Sequence, residues 1–200
     1  LSYPFGIFVD QNKTIFIADY LNDRIVEWKY NEKQGKILAG GNEQGKRLDQ
    51  LNKPIDVIVD QHNHSIIIAD RGNGRVIRWS TNQKQDILIQ NIDCQGLTMD
   101  QKRFLHVSDR KKNEVRKWNL DKINENKEGI LVADANGKRY QLNEPTFIFV
   151  DKDQSLYVSD SRNNRVIKWV KDTKEGIVVA GGNGQGNNLN QLSSPTGLFC

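Results

Sequence analysis

Short apolar runs recur along this chain, each cut off by Asp, Asn, Gly or Gln. The runs are rich in Ile, Val and Phe, which suits strands, and their polar borders suit turns. Four stretches align: "GIFVDQNKTIFIADYLNDRIVEW" (6–28), "DVIVDQHNHSIIIADRGNGRVIRW" (56–79), "GLTMDQKRFLHVSDRKKNEVRKW" (96–118) and "FIFVDKDQSLYVSDSRNNRVIKW" (147–169). In each, one run ends at an Asp (Asp10, Asp60, Asp100, Asp151) and a second ends at another (Asp19, Asp70, Asp109, Asp160). A Trp follows nine residues later (Trp28, Trp79, Trp118, Trp169), and then a fourth run, such as "KILA" (36–39) or "GIVVA" (176–180). Ile66, Ile67 and Ile68 are apolar on consecutive positions, which predicts a strand covered on both faces. No stretch carries a helical period.

The Trp-to-Trp spacings are 51, 39 and 51 residues. Units of that length with four strands are propeller blades. The predicted fold is therefore all-β, with four four-stranded antiparallel blades at approximately 6–50, 55–93, 95–143 and 146–194, and the start of a fifth at 196. "YPFGIFV" (3–9) and "SPTGLFC" (194–200) occupy the same phase of the repeat. The expectation is an open arc, a fragment of a larger propeller, with a closed four-bladed ring as the alternative.

The stretch "GGNGQGNNLNQLSSP" (181–195) resembles a phosphate-cradling loop at first sight. Such a loop needs a helix after it, because the helix N-terminus supplies the amide donors. Here Asn187, Asn188, Asn190, Ser193, Ser194 and Pro195 follow, and they break helices. The stretch also has a twin at an offset of 141, "GGNEQGKRLDQLNKP" (40–54), and a worn third copy, "ADANGKRYQLNEP" (133–145). It reads as a blade-to-blade connection whose glycines permit positive φ, pinned by Leu189, Leu192 and Pro195.

The in-register motifs "GIFVD" (6–10), "IFIADYLNDRIVEW" (15–28), "IIIADRGNGRVIRW" (66–79) and "LYVSDSRNNRVIKW" (156–169) resemble the NHL repeat, and the resemblance runs through the whole chain. It implies an NHL-type β-propeller, and because known domains of that family have six blades, it implies that the arc is a fragment of a six-bladed propeller. It also implies two functional precedents: some members bind RNA on a positive face, and others resemble peptide-amidating lyases.

Net charge is +4, from 29 Lys and Arg against 25 Asp and Glu. That surplus is small for sequence-independent nucleic-acid binding. No apolar stretch is long enough for a membrane span, and two cysteines, Cys94 and Cys200, make no disulfide framework. Asn12-Lys13-Thr14 and Asn63-His64-Ser65 are glycosylation sequons at equivalent turns, and Asn12 and Asn63 tilt the localisation slightly towards the extracellular side.

The Asp-x-x-Asn-x-Arg turns are the most regular polar feature. Asp19, Asn22, Asp70, Asn73, Asp160 and Asn163 read as structural turn residues, since Asp and Asn bond to backbone amides in turns. Arg24, Arg75 and Arg165 then fold back on their own Asp. The third blade departs from the pattern, with Lys112 and Glu114 in the Asn and Arg places. The candidate partner-binding face comprises Arg24, Arg71, Arg75, Arg110, Lys111, Lys112, Arg162 and Arg165, with Lys46, Arg47, Lys138 and Arg139 nearby in the repeat. One Trp per blade reads as packing. His62 and His64 sit in one turn and His106 in a strand, so the three do not converge on a metal. Four residues before the first Asp of each unit stand Gly6, Asp56, Gly96 and Phe147; one carboxylate makes neither an acid–base pair nor a calcium cage.

These readings predict no catalytic residue, no metal, no cofactor and no small-molecule site. The expected function is a non-catalytic scaffold that recognises a protein or peptide through its loop face. RNA recognition by the same face is the first alternative. A propeller lyase or lactone hydrolase with catalytic residues outside this segment is the second.

Overall fold

The aspartates that end the first apolar runs close the turns that follow. Asp10 Oδ1 accepts from the Asn12 and Thr14 amides at 2.9 and 2.8 Å, and Asp100 Oδ1 from those of Lys102 and Phe104 at 2.8 and 2.9 Å. Asp151 Oδ1 takes the Ser155 amide at 2.8 Å. Lys13, His64, Arg103 and Gln154 each turn the chain back with positive φ. A short carboxylate that satisfies the turn amides makes that left-handed step tolerable in a non-glycine residue.

The structure, a computed structural model, describes residues 1–80, 84–134, 141–173 and 175–198. These fold into four four-stranded antiparallel sheets of propeller-blade type, with no α-helix among the described residues. Blade 1 comprises β1 (Pro4–Val9), β2 (Ile15–Asp19), β3 (Arg24–Trp28) and β4 (Lys36–Gly40). Blade 2 comprises β5 (Pro54–Asp60), β6 (Ser65–Asp70), β7 (Arg75–Ser80) and β8 (Gln85–Gln90). Blade 3 has β9 (Cys94–Met99), β10 (Phe104–Asp109), β11 (Glu114–Asn119) and β12 (Ile130–Ala133). Blade 4 has β13 (Pro145–Val150), β14 (Leu156–Asp160), β15 (Arg165–Trp169) and β16 (Gly176–Gly181). Within each sheet the strands lie in chain order.

Three blades begin their first strand on a Pro, and the register slips just after it, between Pro4 and Ile7, Pro54 and Asp56, and Pro145 and Ile148. A second slip recurs between the third and fourth strands. Such bulges add twist locally, and a proline without an N–H is tolerated beside one.

The chain divides into two compact units, Leu1–Cys94 and Gln95–Cys200. In the first, β1 and β2 pack on β5 of the neighbouring blade. Phe16, Ala18, Ile25, Ala39 and Leu51 from blade 1 and its exit loop meet Val57, Ile66, Ile68 and Ile77 from blade 2. Every residue of β6 is buried, as its unbroken isoleucine run requires. In the second unit β10 packs on β13, and Val115, Ala133 and Leu142 meet Ile148, Leu156, Val158, Ile167 and Trp169.

Small residues on one inner strand face larger ones on the next. A Cβ on Gly6 would lie 2.2 Å from Asp56 Oδ1, and one on Gly96 would lie 2.7 Å from the Thr146 carbonyl oxygen and 2.8 Å from Phe147 Cα. Ser108 Oγ bridges the second of these contacts: it accepts from the Gly96 amide at 2.8 Å and donates to the Thr146 carbonyl at 2.6 Å.

Candidate functional site: the turns and connecting loops

Three turns share one arrangement. In each, the second Asp of the repeat holds three donors. Asp70 Oδ1 accepts from the Asn52 amide at 2.7 Å, and its Oδ2 from Asn73 Nδ2 at 2.8 Å and Arg75 Nε at 2.7 Å. Asp19 does the same with Ser2, Asn22 and Arg24, and Asp160 with Asn143, Asn163 and Arg165. The Asp thereby ties the chain entering the blade to the turn and to the third strand. A single 3-10 turn spans the gap, and Asp23, Gly74 or Asn164 closes it in the left-handed region. Burial pushes the Asp19 carboxyl up, but the Ser2 amide, Asn22 and Arg24 together bring it below the usual carboxylate value. At Asp70 burial prevails, and the carboxyl lies above that value despite the same kinds of donor.

Blade 3 closes its turn differently. Asp109 Oδ1 accepts from the Lys111 and Lys112 amides, both at 3.1 Å, and Glu114 pairs with Arg116 at 2.8 Å. Burial pushes the Asp109 carboxyl up, against the Lys112 amide and charge and the Lys111 amide.

The arginines reach further than their own turns. Arg75 Nη1 donates to the Lys46 carbonyl at 3.0 Å, and Nη2 to the carbonyls of Arg47 at 2.9 Å and Gln50 at 2.8 Å. Asn73 Nδ2 also holds the Gly45 carbonyl at 2.7 Å. In blade 4, Arg165 Nη2 and Asn163 Nδ2 both donate to the Gln141 carbonyl at 2.8 Å. The turn of one blade therefore receives the connecting loop of the blade before it.

Each glycine-rich loop is folded around a glutamine. Gln50 Nε2 donates to the Asn42 carbonyl at 3.0 Å, and Gln191 Nε2 donates to the Asn183 carbonyl at 3.0 Å. A Cβ on Gly45 would stand 2.0 Å from Gln50 Oε1, and one on Gly186 would stand 2.2 Å from Gln191 Oε1. These two glycines leave room for a side-chain plug, whereas Gly40, Gly41, Gly181, Gly182 and Gly184 supply positive φ. Leu51 is fully buried, but Leu189 stands fully exposed, so Leu192 and not Leu189 anchors the second loop. Residues 135–140 of the third copy, with Lys138 and Arg139, lie outside the described residues. Gln50→Ala is expected to remove about 1–2 kcal/mol by orphaning the Asn42 carbonyl and emptying the plug. Amide exchange at Gly45, whose N–H bonds to the Leu51 carbonyl at 3.2 Å, reads this directly.

The eight cations placed on the candidate face fare unequally. Arg24, Arg75 and Arg165 are held by their own Asp. Arg71 pairs with Asp93 at 3.1 Å, and Arg110 and Arg162 both pair with Glu144. Those two arginines, Arg110 first, hold the Glu144 carboxyl below its usual value. Lys111 and Lys112 are exposed and without an ion pair among the described residues. Asn12 and Asn63 are exposed in equivalent turns, and Asn63 Nδ2 bonds to Asp60 Oδ2 at 3.2 Å.

The remaining candidates are structural in their surroundings. Trp118 and Trp169 are buried, with Gly129 and Gly176 lying against their rings, and Trp79 packs on the core shared by blades 1 and 2. His106 is 4% exposed, not half-buried, with Nε2 3.5 Å from Asp100 Oδ2; burial lowers its basicity. Cys94 is buried, its Sγ on the Arg75 carbonyl. Among the described residues no three His, Cys, Asp or Glu side chains are placed to share a metal ion, and no helix is long and apolar enough to cross a membrane. Sequence reasoning missed a cavity of about 360 Å³ in the first unit, lined by residues between Phe16 and Ser80. Its walls come from two blades, so no local motif marks it.

No family model matches the sequence, and no curated protein matches it. Solved structures do match. A streptogramin B lyase superposes with a TM-score of 0.66 at 15% identity over 88% of this chain and 54% of its own. Virginiamycin B lyase from Staphylococcus aureus gives 0.61 at 13%, and a catalytically inactive variant of it with quinupristin gives 0.60 at 14%, with the same coverage. This chain thus spans about half the length of those lyases, and the likeness establishes a shared β-propeller fold.

Proposed function

We propose that this chain is an NHL-type propeller segment that recognises a protein or peptide partner through the turn-and-loop end of its blades. The observation that supports this most is how the polar side chains of that end are used. Six of the eight candidate cations are tied to acids of the same unit, and Arg75 is further bound to three loop carbonyls. The result is a rigid frame that carries the connecting loops, a common arrangement for binding surfaces. What the first unit leaves outward there is partly apolar: Leu21 is 48% exposed and Leu48 45%. A photo-crosslinking residue at position 48 should capture a discrete protein that the same residue at position 12, in the opposite turn, does not. The purified partner should then bind the Leu21→Asp, Leu48→Asp double variant at least about tenfold more weakly. Equal affinity for the variant and the native chain would remove this reading.

RNA recognition has less support from the geometry, because its arginines are engaged. With Lys111 and Lys112 the two of the eight candidate cations that have no ion pair among the described residues, single-stranded RNA held by that set should bind with a salt slope of only about −1.4. Lys111→Ala with Lys112→Ala should flatten it. A slope steeper than about −3 would instead favour an RNA-binding face.

The fold likeness supports a lyase as the second reading. Mass spectrometry of quinupristin incubated with the chain tests whether that chemistry lies within these residues: the scaffold reading expects unchanged compound, and turnover would overturn it.

A further inference from the structure

We propose that the cavity of about 360 Å³ in the first unit binds a small organic ammonium ion with an aromatic or branched apolar body. This goes beyond the partner-recognition reading and does not depend on it. Phe16 and Ile37 of blade 1 and Val59 and Trp79 of blade 2 form apolar walls. The volume lies within the range of small-molecule sites, which combine apolar walls with a few polar groups.

One carboxylate gives the cavity its chemistry. Glu27 contributes a half-buried carboxylate with no ion pair among the described residues, even though Lys36 is its cross-strand neighbour.

Comparison among the blades shows that Glu27 is out of pattern. At the register position opposite Phe16, Ile67, His106 and Tyr157 stand Glu27, Arg78, Lys117 and Lys168. The three cations have local partners: Arg78 pairs with Asp86 at 3.2 Å, Lys117 sits over the Phe104 ring, and Lys168 lies 3.6 Å from Asp151. Only blade 1 has an acid there, and that acid faces a cavity. A carboxylate in partly apolar surroundings favours an opposite charge more than it would in water. An ammonium group donates to the Glu27 carboxylate, while the apolar body lies against Trp79 and Phe16, an aromatic lining also suited to cations. His64 completes the rim.

The probe is phenethylamine, titrated into the 200-residue chain and followed by the indole N–H signal of Trp79, assigned with a Trp79→Phe variant. Saturable shifts are expected with a dissociation constant on the order of 10⁻⁴ to 10⁻³ M, normal for a ligand this small. Phenethyl alcohol, which lacks the charge, should bind about tenfold more weakly, and Glu27→Gln should bind amine and alcohol alike. The proposal is overturned by unsaturable shifts at Trp79, by equal affinity for amine and alcohol, or by undiminished amine binding in Glu27→Gln.

Discussion

Arg75→Ala is expected to remove about 3–5 kcal/mol from the stability of the Leu1–Cys94 unit, a large part of what a domain of this size has in reserve. Two losses combine. The Asp70 carboxylate, fully buried in its side chain, keeps Asn52 and Asn73 but loses its countercharge. Three loop carbonyls, of Lys46, Arg47 and Gln50, lose their donors in the same step. Arg24→Ala is the internal control. Arg24 makes the matching bond to Asp19 at 2.8 Å but is 29% exposed, so water replaces it and about 1 kcal/mol is expected. Arg75→Lys should recover less than half of the loss, since one ammonium cannot replace a fork that serves four acceptors.

The deficit should also depend on pH with a definite sign. Burial already holds the Asp70 carboxyl above its usual value, and removing Arg75 raises it further. A carboxyl raised in the folded state loses stability as pH climbs from its unfolded value through its folded one. The Arg75→Ala deficit is therefore largest at neutral pH and narrows as pH falls towards 3.8. Amide exchange at Ile67 reports the first unit and exchange at Val107 the second. Equal effects of Arg75→Ala and Arg24→Ala at Ile67 would show that the loop carbonyls contribute nothing.

Gly96→Ala should destabilise the second unit by about 1–3 kcal/mol through overpacking. The added methyl group would meet backbone: the Thr146 oxygen at 2.7 Å, Phe147 Cα at 2.8 Å and the Ile148 nitrogen at 3.0 Å. A flexible side chain could swing away, but two hydrogen-bonded strands cannot part without disturbing Ser108, which joins them. Gly197→Ala, with nothing within 4 Å of the new methyl, should be close to neutral. Exchange at Val107 in the two variants separates contact from composition, and matching losses would mean that close strand approach is not why Gly96 is there.

The fold was legible because its determinants are local and recur. Runs such as Ile66–Ile68, Asp at fixed phases and a Trp nine residues on are all visible within one repeat of the chain. Repetition then averaged out the exceptions, such as the cationic turn of blade 3. The Asp-x-x-Asn-x-Arg spacing was visible for the same reason, since its bonds span only three to five residues. What the rest of Arg75 does was not visible, because its loop carbonyls lie 25 to 29 residues away. The pairing of Arg71 with Asp93 and of Arg110 and Arg162 with Glu144 was hidden likewise, and it changes a basic-looking list into a largely neutralised one. Glu27 was overlooked because a single acid in a strand carries no signal until its neighbours are known.

By itself, then, the sequence determined the number of strands per blade, their antiparallel order and the places where the chain turns. Those follow from backbone geometry and side-chain periodicity, which act between near neighbours. Only the tertiary structure decided which acids engage the arginines, why Gly45 and Gly186 must lack a side chain, and where a carboxylate lines a cavity. These depend on how one blade packs against the next, where charge, volume and hydrogen bonds are settled between residues far apart in the chain.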